Sequence, residues 1–193
     1  MERTTYFYKL PEYVTVSGRR VRINSDFRAG VEFELMLLAG ERELSRLLSV
    51  WFKGRIKHPA EYFNAAVIFF NLGREPEAET GGDAKRVYDF SRDSGLIHAA
   101  FMSCYGIDLS TAKMHWWMFR SLMLHLPAEC EFRRAAAIRA ANENEFTPDE
   151  RKRLSELKRI YAIEPEKHES MEARNGRWLG KIAREYEKCE RRV

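Results

Sequence analysis

Tyr13-Val-Thr-Val-Ser-Gly-Arg-Arg-Val-Arg-Ile-Asn-Ser-Asp26 is where the period of the sequence changes, and that change decides the fold. Tyr13 to Val16 and Arg19 to Ile23 alternate β-branched with other residues around Ser17-Gly18, a dipeptide suited to a two-residue turn in which the glycine supplies positive φ. That turn predicts Val16 opposite Arg19, Val14 opposite Val21 and Glu12 opposite Ile23. Val14, Val16, Val21 and Ile23 then share one face, and Thr15, Arg20 and Arg22 the other. A lone ribbon of this length is marginal in water, so its valine face needs a surface to lie on. Asn24-Ser25-Asp26 follows as a set of helix-capping side chains, and beyond it the apolar residues recur at helical spacing.

Working outward, a first helix is predicted from Phe27 to about Ala39, with Phe27, Val31, Leu35 and Leu38 on one stripe and Gly40 as its stop. A second is expected over Glu41–Lys53 and a third from Pro59 to Leu72, with Phe63, Val67 and Phe70 on one side. Residues 73–86 (GREPEAETGGDAKR) have no apolar period and hold Pro76 and Gly81-Gly82, so they are the candidate hinge loop. Further helices are expected over Tyr88–Tyr105 (closed by Gly106), from Ser110 to Leu126, in an alanine-rich stretch to about Ala141, and after the start signal Thr147-Pro148-Asp149-Glu150. The last, Glu166 to Arg191, carries residues 171, 175, 178, 182, 185 and 189 at a/d spacing, a seam broken by Asn175 and Glu185. The expected architecture is mostly α, a multi-helix bundle with one N-terminal β-hairpin. Residues 1–163 form the helical domain and residues 164–193 a charged amphipathic C-terminal helix.

The chain has 193 residues, 45% of them apolar and 32% charged, with a net charge of +4. A chain of this size buries about 70% of its unfolded surface, so neither disulfides nor a structural metal is needed for stability. Apolar stretches such as Ala65–Phe70 and Ala135–Ile138 fall far short of the ~20 residues a bilayer span requires. Met1–Leu10 has no apolar core of a secretory leader. The three cysteines, Cys104, Cys130 and Cys189, are odd in number and widely spaced, as expected of reduced thiols in a cytoplasm.

Catalytic chemistry finds little support. The histidines His58, His98, His115, His125 and His168 include no pair three or four apart, so no helical metal pair is expected and no cofactor is implied. Asp89, Asp93 and Asp108 are the acid–base candidates, but near helix starts their expected work is capping. Phosphate-cradling glycine loops and nucleophile elbows are absent from the sequence. Arg19, Arg20 and Arg22 could carry a nucleic-acid interface on the ribbon, an alternative set against a solvated face that blunts a sheet edge. His115-Trp116-Trp117 is the densest aromatic cluster. Adjacent helical residues point ~100° apart, so the two indoles need separate pockets, both as packing residues or with one reaching a partner. The other candidate contact surface is the seam Trp178, Ile182 and Tyr186.

Several stretches resemble one family. They are Leu10-Pro-Glu-Tyr-Val-Thr-Val-x-Gly18 with Ile23-Asn-Ser-Asp-Phe-Arg28, and Tyr88-Asp-Phe-x-x-Asp93. Ala99-Ala-Phe101, Tyr105-Gly-Ile-Asp-Leu109, His115-Trp-Trp-x-Phe119 and Lys158-Arg-Ile-Tyr-Ala162 complete the set. Together, over Leu10–Ile163, they resemble the gene-product-fifteen family of tailed bacteriophages and prophages. The resemblance implies a non-enzymatic tail-assembly chaperone that binds tape-measure protein or other tail proteins and can form a homo-oligomer, with no catalytic residues carried over. The charged helix after Ile163 departs from the family pattern.

Overall fold

The computed structural model describes residues 9–75 and 86–163. These fall into two compact units, residues 9–75 with 113–121 and residues 86–112 with 122–163. The predicted C-terminal helix and most of the candidate hinge lie outside the described residues. Among the described residues there are seven α-helices and one two-stranded antiparallel ribbon.

In the first unit, β1 (Tyr13–Val16) pairs with β2 (Arg19–Arg22) in the expected register: Val16 faces Arg19, Val14 faces Val21, and the Ile23 N–H donates to the Glu12 carbonyl at 3.0 Å. Both turn residues have positive φ, +49° at Ser17 and +71° at Gly18, as a type I′ turn requires. The ribbon packs on helix α3 (Pro59–Phe70), with Val16 and Ile23 buried.

Helix α1 (Phe27–Leu38) opens where expected, with the Asp26 carboxylate accepting the Arg28 N–H at 2.9 Å. Its buried face differs from the predicted stripe. Gly30, Phe33, Glu34 and Leu37 are inside, whereas Val31 and Leu35 are only half-buried. The aromatic cluster around Phe33 sets this rotation: Trp51, Phe63 and Phe70 surround its ring at 5.5, 6.2 and 5.3 Å between centroids. Helix α2 is shorter than expected, Leu44–Ser49, and Trp51 and Phe52 are buried beyond its end. Helix α3 hides Phe63, Ala65, Ala66, Val67 and Phe69, so it is apolar nearly all round and central to this unit.

In the second unit, α4 covers Ser94–Tyr105, starting six residues later than Tyr88 because the chain before it turns around buried Asp93. Helix α6 (Glu131–Ala140) packs against both α4 and α7 (Pro148–Tyr161). The Thr147 start signal acts as expected: Glu150 accepts from the Thr147 N–H at 2.9 Å and from its hydroxyl at 2.6 Å. These bonds hold the Glu150 carboxyl below its ordinary range.

Helix α5 spans Trp116–Leu124 and does not begin at Ser110. The chain is instead held by an antiparallel bridge, Asp26 opposite His115, immediately before the helix. The Phe27 N–H donates to the Met114 carbonyl at 2.9 Å and the Trp116 N–H to the Ser25 carbonyl at 2.7 Å. A tertiary backbone pairing thus overrides a local capping signal.

Candidate functional site

The His115-Trp116-Trp117 cluster is built by that bridge. With residue 115 held in the bridge, His115 becomes the cap of α5. Its Nδ1 accepts the Trp117 N–H at 3.0 Å, so its proton sits on Nε2, which donates to the Pro11 carbonyl at 2.9 Å. Both ring nitrogens are satisfied only in the neutral form, and burial pushes the His115 pKa below its ordinary value of 6.5. The histidine serves structure, and no group of three or more His, Cys, Asp or Glu that could hold a metal occurs among the described residues.

Helical geometry separates the two indoles. Trp116 is wholly buried, stacked on Phe70 at 5.1 Å and Phe119 at 5.9 Å, and its N–H donates to the Phe70 carbonyl at 2.9 Å. Trp117, also buried, lies 5.6 Å from Phe69 and donates to the Phe69 carbonyl at 2.8 Å. Those carbonyls belong to the last turn of α3, whose acceptors have no partner within the helix. Gly30 is flush against the Trp116 ring, and a Cβ built there would lie 2.2 Å from an indole carbon. Both tryptophans, considered above as partner contacts, therefore sit inside the first unit as packing and capping groups.

The ribbon presents its other face outward. Arg19, Arg20 and Arg22 are exposed, with the Arg20 guanidinium 4.1 Å above the Tyr13 ring. A neighbouring charge run escaped the sequence reading: Lys53, Arg55, Lys57 and His58, all exposed in the loop between α2 and α3. One end of this loop is tied to the ribbon's base, where the Asn24 N–H and side-chain amide donate to the Trp51 and Val50 carbonyls at 2.7 and 3.0 Å. Just beyond its other end, Glu61 accepts from Ser17 at the ribbon's tip. Arg19, Arg20, Arg22, Lys53, Arg55 and Lys57 make no ion pair with described residues. The run of cations between Trp51 and Pro59 was the available signal.

The carboxylates divide differently from expectation. Asp93 is 1% exposed and forms a two-pronged pair with Arg139, at 2.6 and 2.8 Å. The same guanidinium donates to the carbonyls of Val87 at 3.0 Å and Tyr161 at 2.6 Å, and Asp93 also accepts the Asp89 N–H at 2.9 Å. The Asp93 carboxylate is thus an ion-pair partner and not a helix cap. Asp89 accepts the Arg92 N–H at 2.8 Å and pairs with Arg86. Asp108 organises a turn, accepting from the Ser110 hydroxyl and N–H at 2.6 and 2.8 Å, contacts that hold its carboxyl below the ordinary range. Every one of these acids is engaged structurally.

Several apolar side chains are left on the outside: Met118, Met102, Leu124, and Leu157 with Ile160 three residues apart on α7, the last 63% exposed. Among the apolar residues of α7 only Leu154 is buried. Trp178, Ile182 and Tyr186 lie outside the described residues. A sequence model of the family described as Bacteriophage Gp15 protein matches residues 8–163. Neither the curated proteins nor the solved structures yield a match.

Proposed function

The chain belongs to the Bacteriophage Gp15 protein family, and from that premise we propose that it is a non-enzymatic tail-assembly chaperone. It binds tape-measure protein, or another tail protein, in the host cytoplasm and self-associates as it does so. The observation that carries the reading is the family match over residues 8–163, which covers both units.

Two features support it. A chaperone for a long helical client needs apolar side chains at helical spacing on its surface, and exposed Leu157 and Ile160 on α7 supply a pair. Exposed Met102 and Met118 add unbranched, polarizable side chains that adapt to varied partners. With Trp116 and Trp117 committed to the interior, the client contacts are assigned to Leu157, Ile160 and the seam Trp178, Ile182 and Tyr186.

Co-expression with the tape-measure protein of the same phage tests the proposal. The two proteins are expected to co-purify, and Leu157→Asp with Ile160→Asp is expected to release the client while leaving thermal unfolding unchanged. Failure to co-purify at every salt concentration would sink the reading. Light-scattering mass tests self-association, and a monomer at all concentrations would remove it.

A further inference from the structure

The ribbon has two outer edges, and that of β2 combines unpaired backbone with unpaired charge. In a two-residue hairpin with Val16 opposite Arg19, the pairs 14:21 and 12:23 exchange hydrogen bonds inward, so the N–H and C=O groups of Arg20 and Arg22 point away from β1. Neither residue makes a backbone hydrogen bond to anything beyond the ribbon among the described residues. Both side chains lie on the face turned from α3 and are exposed, and neither forms an ion pair with a described acid, although Arg22 is close enough to Glu12 to help lower its carboxyl. Arg19 at the turn and Lys53, Arg55 and Lys57 in the loop pinned to the ribbon's two ends extend the positive field. The nearest acids are engaged, Glu12 with Lys9 at 3.1 Å and Glu61 with Ser17.

We infer that the β2 edge is a docking site for an extended acidic segment of a partner protein, which adds as a third strand and sets carboxylates at alternate positions against Arg20 and Arg22. Strand addition satisfies the outward N–H and C=O groups, and alternate side chains of the incoming strand fall on the arginine face. Opposite charges directly across neighbouring strands attract, and flanking cations raise the rate of encounter. A peptide fits better than nucleic acid, because phosphates cannot donate to the outward carbonyls. The one exposed aromatic ring of the ribbon, Tyr13, already has the Arg20 guanidinium over one face, leaving a single ring with one face at most for base stacking. The inference stands whether or not tape-measure protein is the client of the helical surface.

The test uses the purified full chain and a fluorescein-labelled peptide of alternating glutamate and threonine, followed by anisotropy at low and physiological salt. Binding is expected, weakened by salt, and reduced at least about tenfold by Arg20→Glu with Arg22→Glu, exposed substitutions that leave thermal unfolding unchanged. A peptide of equal charge, N-methylated at alternate residues, is expected to bind about tenfold or more weakly, because it lacks the donors of an added strand. Equal affinity for the methylated and unmethylated peptides would reduce the edge to a diffuse charge patch and overturn the inference. So would tighter binding of duplex or single-stranded DNA of matched charge, or no binding of the peptide at low salt.

Discussion

The two units, both with apolar interiors, differ in what ties those interiors together. The first is filled with rings: Phe33, Trp51, Phe63, Phe69, Phe70, Trp116 and Phe119 interlock, and the polar atoms of Trp116 and Trp117 are spent on backbone carbonyls. The second also buries Phe90, Ile97, Phe101 and Phe132, but is tied across its interior by one charge pair, Arg139 with Asp93, whose guanidinium also reaches Val87 and Tyr161. An aromatic interior loses stability in proportion to the volume removed. An interior tied by an ion pair fails when one partner goes and the other is left buried alone. The contrast therefore concerns how each unit breaks, more than how stable each is.

The strongest way to break the contrast is in the second unit. Arg139→Met should cost about 3–5 kcal/mol, because it strands the Asp93 carboxylate. Adding Asp93→Leu should recover much of that loss, since an apolar pair of similar size can replace a buried ion pair. Hydrogen exchange reads each unit separately. A double variant as unprotected around residues 87–93 as the single one would refute the ion-pair account.

Gly30→Ala sharpens the comparison in the first unit, because two effects there have opposite signs. Helix propensity favours alanine by about 1 kcal/mol. The 2.2 Å approach to Trp116 demands that the ring or the helix move, at about 1–3 kcal/mol. The contact is expected to win, lowering the melting temperature; a rise would show that the ring yields freely. A smaller effect belongs to the second unit's surface. Thr147→Ala should cost about 1 kcal/mol through loss of the α7 cap, measured by urea unfolding.

The mildest effect is a slope. The native pKa of His115 lies below its ordinary 6.5, so the unfolded chain takes up the proton first as the pH falls. Its contribution to stability is complete above pH 6.5 and is lost as the pH drops through the native value. His115→Asn keeps an acceptor for the Trp117 N–H and removes the titration, and should flatten melting temperature against pH below 6.5. A slope unchanged in that variant would assign the acid sensitivity elsewhere.

Local chemistry made part of this legible from residues alone. The register at Ser17-Gly18, the Asp26 cap, Pro59 at the head of α3 and the Thr147–Glu150 pair all depend on neighbours a few positions away. What the reading missed depends on distant partners. Ser110 offered a cap, but the bridge between Asp26 and His115 keeps the chain out of the helix until Trp116. The separate placement of the two indoles followed from helical geometry, whereas their carbonyl partners on α3 did not. Arg139 gave no signal, because an arginine in an alanine-rich helix that also carries Arg133 and Arg134 looks solvent-facing until Asp93, 46 residues away, meets it. The basic loop after Trp51 was visible as a charge run but acquires meaning only when both its ends meet the ribbon.

The Phe70 and Phe69 carbonyls at the end of α3 accept indole N–H groups from 46 and 48 residues further along the chain, Phe69 in addition to the Leu72 N–H at 3.1 Å. Translation delivers those indoles late. A nascent polypeptide halted at residue 112 carries the ribbon and the first three helices without those indoles, although residues 86–112 of the other unit have already been synthesised. The N-terminal part must wait, open, until the ribosome has moved past it. Limited proteolysis of such a truncated chain should cut within residues 27–70, where the complete protein resists.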